Sequence, residues 1–261
     1  MRVVLLPFSG LVYAKQVLHK LQDIQLGYDV YVYPVCFYPS PLYLWKGEDE
    51  NGINVIVLKY YNGMHVFSRD QKFDAEKVAE LVKETEPALV CGMKETIDLV
   101  APFVTENYEP EYGKVLRLGE YSGICGEEVH RAEREDLKDI VELLMTDEEM
   151  GGPYTFEMLY GQFIERFDDG FGRNWVRRDD KGVVSHCATY AELEDIAVIS
   201  GGIVRMDYRG KGEYPGQLGA MCKDLYEEGK EVISYYYGGA KSAHKAVGFD
   251  ILGDGAKLIR E

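Results

Sequence analysis

Apolar residues recur along this chain in two rhythms, every second position and every third or fourth, and the rhythms alternate. Val17 and Leu21, four apart, predict a helix from Gly10 to Asp23, followed by a strand from Tyr28 to Phe37. Ile53–Tyr60 and Met64–Phe67 read as strands joined through Asn62-Gly63, a pair that tolerates the positive φ of a tight hairpin. Phe73–Val82, with Asp74 near its start, predicts a helix. Ala88–Cys91 predicts a short buried strand, Glu95–Val104 a second helix and Lys114–Leu118 a further strand. This first stretch reads as an α/β unit ending near Tyr121–Gly126.

Beyond that glycine-rich passage the pattern starts afresh. Leu137, Ile140, Val141 and Leu144 form one helical stripe within Glu133–Met145, and Phe156, Leu159, Tyr160, Phe163 and Phe167 form another. Strands follow at Trp175–Arg178 and Val183–Tyr190, split by Asp179-Asp180-Lys181-Gly182, and then a longer run at Ile196–Val204. A helix carrying Leu218, Met221, Cys222 and Leu225 comes next. Glu231–Tyr237 reads as a strand, His244–Val247 as a short helix, and Gly248-Phe249 leads into a final strand. The expected organisation is two domains, 1–125 and 126–261.

Charge narrows the partners. Of 29 Lys/Arg and 45 Asp/Glu, residues 1–125 hold 12 and 17 and residues 126–261 hold 17 and 28, for a net charge of -16. No basic stripe interleaved with aromatics appears, so nucleic acid and anionic membrane are poor partners, and an acidic surface favours a cationic, amine-bearing acceptor. No run approaches the ~18 apolar residues of a membrane helix, and the N-terminus lacks a secretory cleavage pattern, which makes a cytoplasmic location the expectation. Cys36, Cys91, Cys125, Cys187 and Cys222 are scattered without CxxC spacing. They predict buried reduced thiols, with neither a disulfide framework nor a metal site. His186 and Cys187, adjacent on a strand, point to opposite faces and are unsuited to share one metal.

The chemistry concentrates at Arg209-Gly210-Lys211-Gly212, placed between the Ile196–Val204 strand and a helix. A strand, a glycine loop and a helix N-terminus together aim main-chain N–H groups at one point, where a phosphate is the natural ligand. Arg209 and Lys211 add charge-assisted contacts. The loop lacks both the lysine-serine/threonine ending of a P-loop and the GxGxxG of a dinucleotide fold, which disfavours a nucleotide-binding domain.

From about Val129 onward the chain resembles the GNAT superfamily of acyl-CoA-dependent N-acyltransferases. The resemblance rests on Arg209-Gly210-Lys211-Gly212-Glu213-Tyr214, which matches the first four positions of that family's Arg/Gln-x-x-Gly-x-Gly/Ala loop. Asp207-Tyr208 before it, the run Ala240–Phe249 and the order of elements agree as well. The resemblance implies a mixed, largely antiparallel central sheet flanked by helices, preceded by a second α/β domain that is a partial, degenerate unit of the same type. It implies acetyl-CoA as co-substrate, its pyrophosphate held by the N–H groups of Gly210, Lys211, Gly212, Glu213 and Tyr214. Pantetheine would run along the preceding strand, with Ile203, Val204 and Arg205 offering backbone groups and Gly201-Gly202 supplying a bulge that splays the strand from its neighbour.

Three positions depart from the family pattern. Tyr214 stands where the loop ends in Gly or Ala, and Pro215-Gly216 behind it predict a helix start displaced by a residue. Tyr237 stands in place of an asparagine. His244 stands where a tyrosine often serves as general acid; it could protonate a leaving thiolate or be a structural histidine. One hydroxyl of Tyr235-Tyr236-Tyr237 is the substitute acid if His244 is not. Glu192, Glu194 and Asp195 are candidates for the base that deprotonates an amine, or a solvated turn, and His186 reads as a half-buried histidine with its partners satisfied. The expected activity is transfer of acetyl from acetyl-CoA to a small-molecule or peptide amine by direct attack in a ternary complex. A non-catalytic acyl-CoA-binding or sensing module is the alternative, and a homodimer is an open option.

Overall fold

The computed structural model describes residues 42–261 except 51, 61, 69, 153, 169, 171, 193–195 and 238–240. The expected helix at Gly10–Asp23 and strand at Tyr28–Phe37 lie outside the described residues. The chain forms two compact units, one from residues up to 115 together with 253–261, the other from 116–252. The units therefore do not follow a single cut in the sequence, because the last nine residues belong with the first.

In the first unit β1 (Leu42–Asp49) pairs antiparallel with β2 (Gly52–Tyr60), and β2 with β3 (Gly63–Ser68). The hairpin falls where it is expected, but the turn closes on the pair Tyr60↔Gly63. Gly63 is therefore the first residue of β3 and not a central turn residue, and neither Asn62 nor Gly63 has a positive φ. Helix α1 (Ala75–Thr85) follows, with Asp74 as N-cap, its carboxylate accepting from the Lys77 N–H at 3.1 Å. The chain then forms β4 (Leu89–Met93), parallel to β3, and helix α2 (Lys94–Val100). A distant segment completes this sheet, Gly255–Ile259 running antiparallel to β4. Val78 and Val82 of α1, Ile97 of α2 and Val57, Val66, Val90 and Leu258 of the strands share one core. Strand β5 (Tyr108–Leu118) begins in this unit and ends in the second.

The second unit opens with β6 (His130–Arg131), α3 (Asp136–Leu144) and α4 (Phe156–Asp168). Next come β7 (Asn174–Asp179), β8 (Gly182–Glu192) and β9 (Ile196–Val204), successively antiparallel. Helix α5 (Glu213–Glu227) crosses to β10 (Glu231–Tyr236), which lies parallel to β9, and α6 (Lys241–Val247) leads into β11 (Phe249–Arg260). Helices cover both sheet faces. Leu218, Met221, Cys222 and Leu225 of α5 pack on one; the α3 and α4 stripes pack on the other.

Strand β9 changes face partway. Ala197 and Ile199 lie in the α5 core, whereas Ile203 lies in the α3/α4 core. A strand with strict period two would keep these odd positions together. The inversion falls at Gly201, whose φ of +67° and the register shift opposite it in β8, between His186 and Ala188, mark a bulge. Among the described residues, no helix is long and apolar enough to cross a membrane.

Candidate functional site

The β9–β10 ladder runs Glu231↔Ile196 to Ser234↔Ile199 and stops there, although β9 continues five residues to Val204. Over that stretch β9 keeps its partner on the β8 side, with Ile203 opposite His186 and Val204 opposite Ser185. Its other edge is left without β10. Successive N–H groups along an extended strand point to opposite sides. The Arg205 N–H donates to the Val184 carbonyl at 2.8 Å, so the Val204 N–H faces the open edge.

At the end of that edge lies the glycine loop. After a short 3-10 turn at Met206–Tyr208, Gly210 and Gly212 take φ values of +76° and +81° on either side of Lys211. A Cβ built on either glycine meets nothing within 4 Å, so it is the backbone hand, not crowding, that requires glycine there. The same emptiness means the loop faces open space and Tyr214 does not cover it. Gly212 is the N-cap of α5 and brings no side chain to cap the first-turn N–H groups. The helix begins directly after Gly212. Pro215, its third residue, is tolerated because a first-turn N–H has no helical partner to lose, so the expected displacement of the start does not occur.

Side chains around the loop divide into those facing it and those turned away. Arg209 donates through Nε to the Val204 carbonyl at 2.9 Å, and Lys211 through Nζ to the Asp207 carbonyl at 2.8 Å, which holds both cations on its rim. Arg205 is engaged elsewhere. Its guanidinium pairs with Asp179 and Asp207, which hold it charged and depress both carboxylates, and its N–H is used by β8. Of the three backbone positions expected to serve pantetheine, Val204 is the one whose N–H faces the edge. Ile203, a residue earlier, lies in the α3/α4 core. Glu213 would repel an anion if it pointed outward, but it turns under the helix. There its carboxylate accepts from Arg177 Nη1 at 3.0 Å and from Ser185 Oγ at 2.9 Å.

Tyr214 supplies its N–H to the first turn and sends its ring beneath β9. A Cβ on Gly202 would lie 2.5 Å from the Tyr214 hydroxyl oxygen, so the second glycine of the Gly201-Gly202 pair makes room for the tyrosine that departs from the family loop. Burial raises the Tyr214 hydroxyl well above its ordinary pKa. On its far side the ring meets His244 edge-on, with centroids 6.0 Å apart.

His244, only 5% exposed, is also edge-on to Tyr236 at 5.9 Å and Phe249 at 5.2 Å, and its Nε2 lies 3.1 Å from Ser234 Oγ. Ser234 is the last β10 residue paired with β9, so His244 sits where the two strands part. Tyr237 follows the end of β10, half-buried. Glu192 is not a free base. Its two oxygens accept from Arg173 at 2.8 and 2.9 Å, Oε1 also accepts from Thr189 Oγ1 at 2.5 Å, and Arg173 is further bound by Glu228. A carboxylate so paired braces the end of β8, and its oxygens are turned to Arg173 and Thr189, not to an amine. Glu194 and Asp195 lie outside the described residues.

A second polar assembly lies buried on the α3/α4 side of the bulge, around the histidine expected to be half-buried with its partners satisfied. His186 is 0% exposed, with Nδ1 2.8 Å from the Gly201 carbonyl and Nε2 3.0 Å from the Asn174 side-chain oxygen; its ring is 5.9 Å from that of Phe163. Burial lowers its pKa to about 4, so the ring is neutral. Gly201 O only accepts, which puts the proton on Nδ1. Nε2 then needs a donor, which the Asn174 amide supplies on exchange of its Oδ1, placed 3.0 Å away, for its NH2 by rotation about the terminal bond.

A parallel pair that parts, with a glycine loop and a helix N-terminus at the end of the parted strand, is the arrangement that the resemblance to the GNAT superfamily implies. Comparison of whole structures agrees. The chain is similar to an acetyltransferase of the GNAT family from Colwellia psychrerythraea, with 10% identity, 100% of this chain and 99% of that one covered, and a TM-score of 0.63. It is similar to a tandem GNAT protein of the clavulanic acid biosynthesis pathway at 10% identity, 99% and 98% coverage and a TM-score of 0.63. A GCN5-related N-acetyltransferase from Sphaerobacter thermophilus matches at 15% identity, 99% and 94% coverage and a TM-score of 0.61. No family model and no curated protein matches the sequence. The chain has the GNAT fold.

Proposed function

We propose that the 116–252 unit binds acetyl-CoA and transfers its acetyl group to an amine. The reading is carried by the parting of β9 from β10 after Ser234↔Ile199, next to an open glycine loop. The loop and α5 N–H groups take the pyrophosphate, with Arg209 and Lys211 beside them. Pantetheine lies along the free edge of β9 as an added strand would. The Val204 N–H is then the donor for the thioester carbonyl, whose oxygen gains charge as the amine attacks; such a donor contributes about 3–4 kcal/mol. The amine nitrogen bonds to the acyl carbon, the carbon–sulfur bond breaks, and the ammonium proton leaves through water to a carboxylate, for which Glu194 and Asp195 are the remaining candidates. His244, beside the point of parting, hands a proton to the departing thiolate. No covalent enzyme intermediate is required. The acceptor is a cationic small molecule or peptide amine in the cytoplasm, in keeping with the charge of -16.

The enclosure of His244 by Tyr214, Tyr236 and Phe249 favours a second reading, an acyl-CoA-binding module without catalysis. Calorimetry with coenzyme A, ATP and NAD tests the shared premise, and binding of coenzyme A alone is expected. Thiol release from acetyl-CoA over a broad amine panel then separates the two. A transferase releases thiol above background and His244→Phe lowers kcat at least about tenfold. A binding module releases none, and the substitution changes nothing.

A further inference from the structure

The bulge at Gly201 frees the β9 edge, and a bulge is a local departure from the ladder that needs something to hold it. Three observations place that support in His186 and Asn174. The His186 Nδ1–H donates to the Gly201 carbonyl at 2.8 Å, so the bulged peptide has its partner in a side chain and not in a neighbouring strand. A Cβ on Gly201 would lie 3.1 Å from His186 Cε1, so the ring fills the space that a side chain at 201 would need. The β8–β9 register shifts at His186/Ala188, directly across from the bulge. Asn174 on β7 holds the other nitrogen of the ring, Phe163 on α4 meets the ring at a tilt, and the charge of Arg166 on α4 acts on it.

We propose that His186 is a positioning residue for the acyl-pantetheine arm. Oriented by Asn174, it fixes the Gly201 carbonyl and thereby the bulge that turns Gly202–Val204 away from β10 and keeps the Val204 N–H aimed at the thioester. The inference rests on the acyl-CoA reading and adds to it a residue that never touches the ligand. It makes the grip on the arm separable from the grip on the phosphates, since the glycine loop has its own backbone geometry and makes no hydrogen bond to His186 among the described residues.

The test is calorimetric titration of the full-length protein and its variants with acetyl-CoA and with 3′-phospho-ADP, the phosphate half of the coenzyme lacking pantetheine. His186→Leu leaves the Gly201 carbonyl unpaired and should weaken acetyl-CoA binding by about tenfold while 3′-phospho-ADP changes less than about twofold. In His186→Asn the amide nitrogen stands where Nδ1 stood, and acetyl-CoA affinity should return to within about threefold of wild type. Asn174→Leu, which spares His186 but releases its ring, should fall between the two and serves if His186→Leu does not fold. Unaltered acetyl-CoA binding in a folded His186→Leu or in Asn174→Leu overturns the inference, as does equal loss of both ligands or failure of asparagine to rescue. Wild-type protein that binds neither ligand overturns the acyl-CoA reading itself, and the inference with it.

Discussion

The protein contains the passage strand, loop, helix, parallel strand twice, and the two copies end in opposite chemistry. In the first unit β3 leads to α1, and the helix N-terminus is closed by Asp74, which accepts from Lys77 N–H, while Asp70 accepts from Lys72 N–H one turn earlier. In the second unit β9 leads to α5, where Gly212 caps with no side chain. The parallel pairs differ as well. The β3–β4 ladder runs to Val66↔Gly92, two residues from the end of β3, whereas β9 outlasts its ladder with β10 by five. A carboxylate at a helix N-terminus occupies the place where an external anion would bind. One copy is self-satisfied and the other is left open, so the difference between a scaffold and a site comes down to one cap and one bulge.

This contrast can be probed from its largest expected effect to its smallest. Each unit holds a buried histidine whose pKa burial lowers to about 4 from 6.5, His65 in the first and His186 in the second. Below pH 6.5 the unfolded chain takes up protons that the folded state refuses. Stability is therefore complete above that pH and is lost as the pH falls toward 4, by about 3 kcal/mol for each histidine. Urea unfolding at pH 7.5 and 4.5 should show the loss, and His65→Phe should lessen it; equal stability at both pH values would refute the buried neutral rings. Gly212→Asp sets a carboxylate at the open helix N-terminus, on a left-handed backbone that an L residue strains. It should weaken coenzyme A binding about a hundredfold, near 2.7 kcal/mol, whereas Gly212→Asn, with the same strain and no charge, should weaken it less. The converse, Asp74→Ala, should cost about 1 kcal/mol of stability and leave coenzyme A titrations, at one equivalent per chain, as they were. A second equivalent of bound coenzyme in either protein would break the contrast.

Local chemistry made much of this legible beforehand. The strand Ile196–Val204 has the expected bounds, a tight hairpin closes between Tyr60 and Gly63, one residue earlier than Asn62-Gly63 suggests, and the four apolar positions of α5 are buried as their spacing requires. Strand β5 starts at Tyr108, six residues before the expected Lys114, because Pro110, Gly113 and the glutamates at 109 and 111 hide a segment whose pairing is tertiary. Strand β1 went unread for a similar reason: after Leu42–Trp45 it continues through Lys46-Gly47-Glu48-Asp49 and is held by β2 across a register shift at Gly47/Glu48. In the site, the glycine loop announces itself because its function lies in consecutive residues. The part played by His186 does not, since residues 186, 201 and 174 meet only through strand register. Glu192 looks like a base in sequence and becomes a brace once Arg173 and Glu228 arrive from elsewhere.

The closing strand of the first unit has a consequence for biosynthesis. Gly255–Ile259 zips along Leu89–Met93, and Ala256 and Leu258 are buried in the core that α1 and α2 cover. A ribosome that has finished the N-terminal half has not yet synthesised the strand which that half lacks. The nascent first unit must wait, with β4 unzipped along one side, until residues 253–261 have been made, and separate expression of residues 1–125 would yield a fragment missing a piece of its own interior.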